Sequence, residues 1–145
     1  MRDYSDPEAE RRLRAVAHTQ GFANWLGFDI VAVGNGRAEL SLDVRPDLLQ
    51  HHGFVHGGII ATLADVASAW CAASVAGDVV TSSFNMHYVA PAKGQRLIVR
   101  ASVIKAGRRQ ASVEAKVWID TAGEERLCGA SMASIAILGA AVEAA

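Results

Sequence analysis

Cysteine is nearly absent from this sequence: Cys71 and Cys128 are the only two in 145 residues. Their spacing fits neither a metal-binding pair nor a disulfide framework. Each sits in an apolar run, so both are expected as buried free thiols in a reducing, cytoplasmic setting. An excess of one charge is also missing. Fourteen basic and 15 acidic residues leave a formal net charge of −1. With no basic stripe to neutralise a run of phosphates, nucleic acid is not an expected partner. The N-terminus, Met1-Arg2-Asp3-Tyr4-Ser5-Asp6-Pro7-Glu8, has no secretory apolar stretch. No repeat, linker or shift in composition divides the chain. About half of it is apolar (51%), enough for a core, and a single domain over residues 1–145 is expected.

One long apolar window is present, from Gly57 to Gly77, reading GGIIATLADVASAWCAASVAG. It is nearly long enough to span a membrane. Yet alanine dominates it, Asp65 sits at its middle, and no Lys or Arg anchors its ends. A carboxylate at a bilayer centre is costly, so the window is expected to be a helix buried in protein, with no membrane partner. Its apolar residues are not confined to one stripe, as befits a helix wrapped on most sides.

The remaining pattern is a helix followed by strands. Residues 1–20 form an N-terminal segment, with a helix from Asp6 to about Gln20: Asp6 can cap it, Pro7 suits its first turn, and Glu8 and Glu10 favour the positive end of its dipole. Trp25 to Val33, a turn at Gly34-Asn35-Gly36, and Arg37 to Val44 read as a hairpin, the second strand alternating through Ala38, Leu40, Leu42 and Val44. Pro46 to Val55 reads as a loop and Gly57 to Val75 as the long helix. Strands follow over Thr81 to Tyr88, stopped by Pro91, and over Arg96 to Ala106, Gln110 to Ile119 and Arg126 to Leu138. The tail 139–145 is expected to fray. Short turns imply antiparallel neighbours, and the only large apolar object available to cover the sheet is the long helix. The expected fold is therefore α+β, a five- to six-stranded antiparallel sheet curled around one central helix.

The unusual residues cluster in Gln50-His51-His52-Gly53-Phe54-Val55-His56-Gly57-Gly58-Ile59-Ile60-Ala61-Thr62-Leu63-Ala64-Asp65. Two glycines open the helix, so its first amide N–H groups are accessible, have no intrahelical partners, and lie at the positive end of the dipole. In an acyl transfer such donors hold the oxygen of a tetrahedral intermediate; equally, the glycine pair permits a tight turn or close packing. Asp65 is the only charged side chain between His56 and Asp78. Burying an unpaired carboxylate is expensive, so it is either tied to an arginine or a backbone amide, or it works as a base or a nucleophile. Gly57 and Asp65 are eight residues apart, about 12 Å along a helix at roughly 1.5 Å per residue. Both cannot touch one carbonyl from the same chain. If both act, two subunits share each site across a two-fold axis.

At these residues the chain resembles the hotdog-fold acyl-CoA thioesterases of the phenylacetic-acid-degradation (PaaI-like) type. The resemblance rests on Gly53-x-x-His56-Gly57-Gly58 followed by Ala61-Thr62-Leu63-Ala64-Asp65, then Thr81, Asn85 to Ala92, and Ile104-Lys105-Ala106-Gly107-Arg108, with order and spacing kept over about residues 25–137. It implies a hotdog fold, a homodimer or a dimer-of-dimers tetramer, and hydrolysis of an acyl-CoA without a metal or redox cofactor. It also implies roles: Gly57 supplies the N–H that polarises the thioester carbonyl, Asp65 of the partner subunit is the base or nucleophile, and Thr81 orients the attacking water. Gln50 stands where the family often has Asn, His56 shapes the turn, and Gly58 adds to the substrate-binding helix start. Lys105, Arg108 and Arg109 form a basic turn that in this family lies near the CoA phosphates, and arginine suits phosphate; a solvated hairpin is the plain alternative. His51 and His52 lack a partner with metal-ligand spacing. A hydratase of this fold pairs its Asp with a His about five residues on, where this sequence has Trp70. A non-catalytic acyl-CoA-binding protein of the same fold would have no use for Asp65.

Overall fold

The computed structural model describes residues 2–17, 19 and 21–139. Asp6 caps the first helix, α1 (Pro7–Ala17), its Oδ1 accepting from the N–H groups of Glu8 (3.0 Å) and Ala9 (3.3 Å). The start of α1 is held to the sheet by a hydrogen bond from Asp6 N–H to the Val33 carbonyl (3.0 Å). Only glycine fits beneath that contact, since a Cβ at position 34 would stand 2.4 Å from the Asp6 nitrogen.

A short helix, α2 (Gly21–Leu26), precedes β1 (Asp29–Gly34) and β2 (Arg37–Asp43). The strand expected from Trp25 therefore begins only at Asp29. Phe22 and Trp25 stack at 6.1 Å on one turn of α2, and Gly27 ends it with a φ of 74°, a left-handed value suited to a helix C-terminus. The loop at residues 46–55 contains a 3-10 turn, Pro46–Leu48.

The long helix α3 (Gly57–Ala76) is unbroken, and four strands follow it: β3 (Asp78–Tyr88), β4 (Arg96–Ala106), β5 (Gln110–Thr121) and β6 (Glu124–Gly139). Gly139, expected to begin a frayed tail, pairs with Asp78 as the last residue of β6; residues 140–145 lie outside the described residues. All neighbouring strands are antiparallel, in the order β1-β2-β4-β5-β6-β3. Strands β3 and β4 are thus not neighbours, although they follow each other in sequence. The helix α3 intervenes between β2 and β3 and delivers the chain to the opposite edge of the sheet, while β4 returns to pair with β2.

The core lies between α3 and the concave face of the sheet. Helix α3 touches all six strands. Its buried Ile60, Leu63, Ala64, Ala67 and Cys71 meet the inward residues Val33, Leu40, Leu42, Val99, Val113, Val117 and Ile135. This is the hotdog arrangement, and the apolar window of bilayer length is its filling. The alanines of α3 let helix and sheet approach closely over its whole length, and packing at this density leaves little room for enlargement. Both thiols are buried in the core, and burial pushes Cys71 up to about 12 and Cys128 up to about 11.

Candidate active site

The start of α3 is an open donor site with one free N–H. His56 is its N-cap, and its Nδ1 accepts from the N–H of Gly58 at 3.0 Å. The N–H groups of Ile59 and Ile60 reach the His56 carbonyl at 2.9 and 3.4 Å. Among the described residues no acceptor meets the N–H of Gly57. Of the two glycines expected to present donors, Gly57 keeps its own and Gly58 gives its to His56. With Nδ1 engaged as an acceptor, the neutral His56 ring carries its proton on Nε2, so its accepting nitrogen serves the turn.

Gly57 is held from the other side by Tyr88, the last residue of β3. The Tyr88 hydroxyl donates to the Gly57 carbonyl at 2.8 Å. The Tyr88 ring packs so closely that a Cβ on Gly57 would stand 3.1 Å from it. The loop before α3 is fastened by hydrogen bonds from His56 N–H to the Leu48 carbonyl and from Val55 N–H to the Ala92 carbonyl, both 2.8 Å. Gln50 belongs to this loop. Its side-chain oxygen accepts from the His52 N–H, and among the described residues its amide NH2 has no acceptor. Gln50, Phe54, Gly57, Tyr88 and Pro91 line a cleft of about 390 Å³.

Asp65 lies two turns further along α3, half-buried, and lines a different cavity. Its Oδ1 accepts from the Thr81 hydroxyl at 2.7 Å. Among the described residues it forms no ion pair with any Lys, Arg or His. A structural salt bridge therefore does not explain this carboxylate. Thr81 is aimed at it by an irregularity: the β3–β6 register shifts between Thr81 and Ser83, and a bulge of this kind re-aims a side chain. Thr81 and Asp65, paired only by resemblance from the sequence, are thus brought into contact, and Tyr88 is a further site residue that sequence reasoning did not single out. A tyrosine directly before the Val89-to-Pro91 exit is the only signal it offers.

The basic turn falls at the tip of the β4–β5 hairpin, where Lys105, Arg108 and Arg109 are exposed. Gln110 pairs with Ala136, and Ala136 with Val80. The tip therefore stands about two strand spacings, roughly 10 Å, from the start of β3. It is at the same end of the sheet as Thr81 and Asp65, but none of the three basic residues lines either cavity. The rings of His51 and His52 lie 3.9 Å apart on an exposed loop. Among the described residues no cluster of three or more His, Cys, Asp or Glu side chains is placed to hold a metal ion.

A six-stranded sheet around one helix, with a free amide at the helix start and an unpaired acid further along it, defines the class of protein. The family model for the thioesterase superfamily matches residues 52–125, a span that contains Gly57, Asp65 and Thr81. The chain belongs to the thioesterase superfamily. It is similar to the crystal structure of a thioesterase family protein from Silicibacter pomeroyi, with a TM-score of 0.87 and 31% identity over 90% of this chain and 98% of that one. It is also similar to a 1,4-dihydroxy-2-naphthoyl-CoA hydrolase of Listeria monocytogenes, 29% identical over 74% of this chain and 89% of the relative. The acyl-coenzyme A thioesterase PaaI of Escherichia coli is 28% identical over 70% of this chain and 74% of its own length.

Proposed function

We propose that the chain is an acyl-CoA thioesterase that adds water to the thioester carbonyl and releases a carboxylic acid and free CoA, at sites shared by two protomers. The observation that carries this reading is the placement of its two reactive groups. The free N–H of Gly57 and the unpaired Asp65 are eight residues apart on one unbroken helix, about 12 Å along the axis and roughly 80° around it. They open into separate cavities.

The edge of the sheet offers a way to unite them. Among the described residues strand β3 pairs with β6 on one side only. Its 11 residues include no Lys or Pro, the residues that commonly guard an open edge. A second copy adding there antiparallel sets the start of one β3 beside the end of the other. Thr81 and Asp65 stand near the start; Tyr88 and Gly57 stand at the end. Such a pairing brings Asp65 of one protomer to Gly57 of the other, twice per dimer. The likeness to relatives named as CoA-thioester hydrolases supports the hydrolase part of this reading.

The chemistry then follows. The Gly57 N–H donates to the thioester oxygen and holds the negative charge that develops on it. Thr81 fixes Oδ1 of Asp65, and Oδ2 takes a proton from water as the water oxygen attacks the carbonyl carbon. The tetrahedral intermediate collapses with cleavage of the C–S bond, and the proton passes to the leaving sulfur. Water is consumed, and an acid and a thiol are formed.

Release of free CoA, read with a thiol reagent over a panel of acyl-CoAs, tests the proposal, and turnover of no member would sink it. The protein's own thiols are not expected to interfere. Since burial raises both Cys71 and Cys128, to about 12 and about 11, they stay protonated near about pH 8, and the thiolate is the reactive form. Folded protein alone should give almost no colour, with both thiols appearing on addition of denaturant. Tyr88→Phe keeps the ring against Gly57 and deletes the hydroxyl. Losing one neutral hydrogen bond behind the donor should lower kcat by up to about tenfold with little change in KM; an equal loss in KM would place Tyr88 in binding instead.

A further inference from the structure

Beside Asp65 a cavity of about 330 Å³ runs between α1 and α3. On α3 it is lined by Asp65, Ala69 and Ala73, spaced by four residues and so stacked along one face of the helix, and it continues past them to Gly77, Asp78 and Val79. That stripe is about 12 Å long, eight residues at roughly 1.5 Å each. Leu13 and Val16 of α1 close it from above, and Trp70 forms a side wall. The Trp70 ring is fixed in turn by an edge contact with Phe28, with centroids 5.5 Å apart. Arg12, itself part of the lining, donates to the Ala73 carbonyl at 2.9 Å and so latches α1 across the stripe.

We propose that this chamber receives the acyl group of the substrate, that it takes an uncharged apolar acyl group the size of one aryl ring or a medium straight chain, and that the Arg12–Ala73 latch sets the upper limit. The inference rests on the thioesterase reading above. A carbonyl held at Asp65 has its acyl side directed along the Ala69–Ala73 stripe, the apolar part of the one described cavity that Asp65 lines; the charged Arg12 and Asp78 lie at its other end. The two alanines leave the space; larger side chains there would fill it. The volume sits at the low end of ligand pockets, which run from roughly 300 to 1,000 Å³, so the chamber suits an acyl group alone. A long chain would have to displace Arg12 from Ala73.

The test compares wild type, Ala69→Leu and Arg12→Ala for kcat/KM on acetyl-, butanoyl-, hexanoyl-, octanoyl-, dodecanoyl-, palmitoyl- and phenylacetyl-CoA, with calorimetric binding of octanoate to each protein. Wild type should rise to hexanoyl or octanoyl and fall beyond it. Ala69→Leu should lower the octanoyl-to-butanoyl ratio by about tenfold or more, the order that one or two methylenes are worth in an apolar pocket. It should also lose octanoate binding. Arg12→Ala, a change at an exposed side chain, should raise the dodecanoyl-to-octanoyl ratio, where a merely structural role would lower all substrates together. Hydrolysis with one unchanged chain-length profile in all three proteins would overturn the chamber and leave the thioesterase standing. Octanoate binding that Ala69→Leu abolishes, without cleavage of any thioester, would keep the chamber and sink the hydrolase. Absence of both would overturn both.

Discussion

Asp65→Asn lowers kcat for the best acyl-CoA by about 10²–10⁴-fold, the range carried by a positioned acid–base group. Asn is nearly isosteric and keeps an oxygen to accept the Thr81 hydroxyl, which now meets Oδ1 at 2.7 Å. The geometry around position 65 is thereby retained while the basicity is lost. Stability should move the other way. Asp65 is half-buried with a hydroxyl as its partner and no cation among the described residues. Neutralising it removes a desolvation cost, so Tm is expected to hold or rise. A variant as active as wild type would remove Asp65 from the mechanism; one that unfolds would make it structural.

Gly57→Pro is expected to reduce kcat by about 10²–10³-fold, the effect of removing one oxyanion donor. The substitution deletes the N–H at a position where helices accept proline readily, the first residue of α3. His56, with φ −58° and ψ 135°, already has the extended conformation that a residue before proline requires. Gly57→Ala is the control. It adds a Cβ that crowds the Tyr88 ring at 3.1 Å but keeps the N–H, and should lose far less. Co-refolding equal amounts of Gly57→Pro and Asp65→Asn chains tests the sharing of sites. Half of the random dimers are mixed, and each mixed dimer has one intact site of two, so activity should return to about a quarter of wild type. If the mixture stays as inactive as its components, each chain works alone.

The helix and the regular strands were legible because burial imposes their periodicity. The expected Gly57 to Val75 became Gly57–Ala76, and Arg96–Ala106 is unchanged, its Leu97, Val99 and Ala101 all facing the core. What local pattern cannot carry is pairing across the sheet. Nothing in Thr81 to Tyr88 says that the strand lies beside β6 and not β4, because that choice is made by the path of α3. The helix α2 was hidden because its apolar residues Phe22 and Trp25 face solvent. Within the site, Gly57 and Asp65 stood out by chemistry alone, a glycine pair and a single acid in an apolar helix. The cap by His56 did not, since histidine is not among the favoured N-cap residues. The Tyr88 clamp and the chamber under α1 depend on contacts between residues 31 and 61 apart in sequence, which no spacing reveals.

The bare side of β3 has a consequence for how the protein behaves in a test tube. An isolated protomer would carry unmet peptide groups on every second residue along the 11 of β3, with Val80 and Tyr88 more than half exposed. Such a row is a template for any extended chain. In the proposed dimer a second copy covers this edge, so dilution, which protects most small proteins from clumping, should here be hazardous: it removes that cover and leaves the edge to recruit unfolded neighbours or container walls.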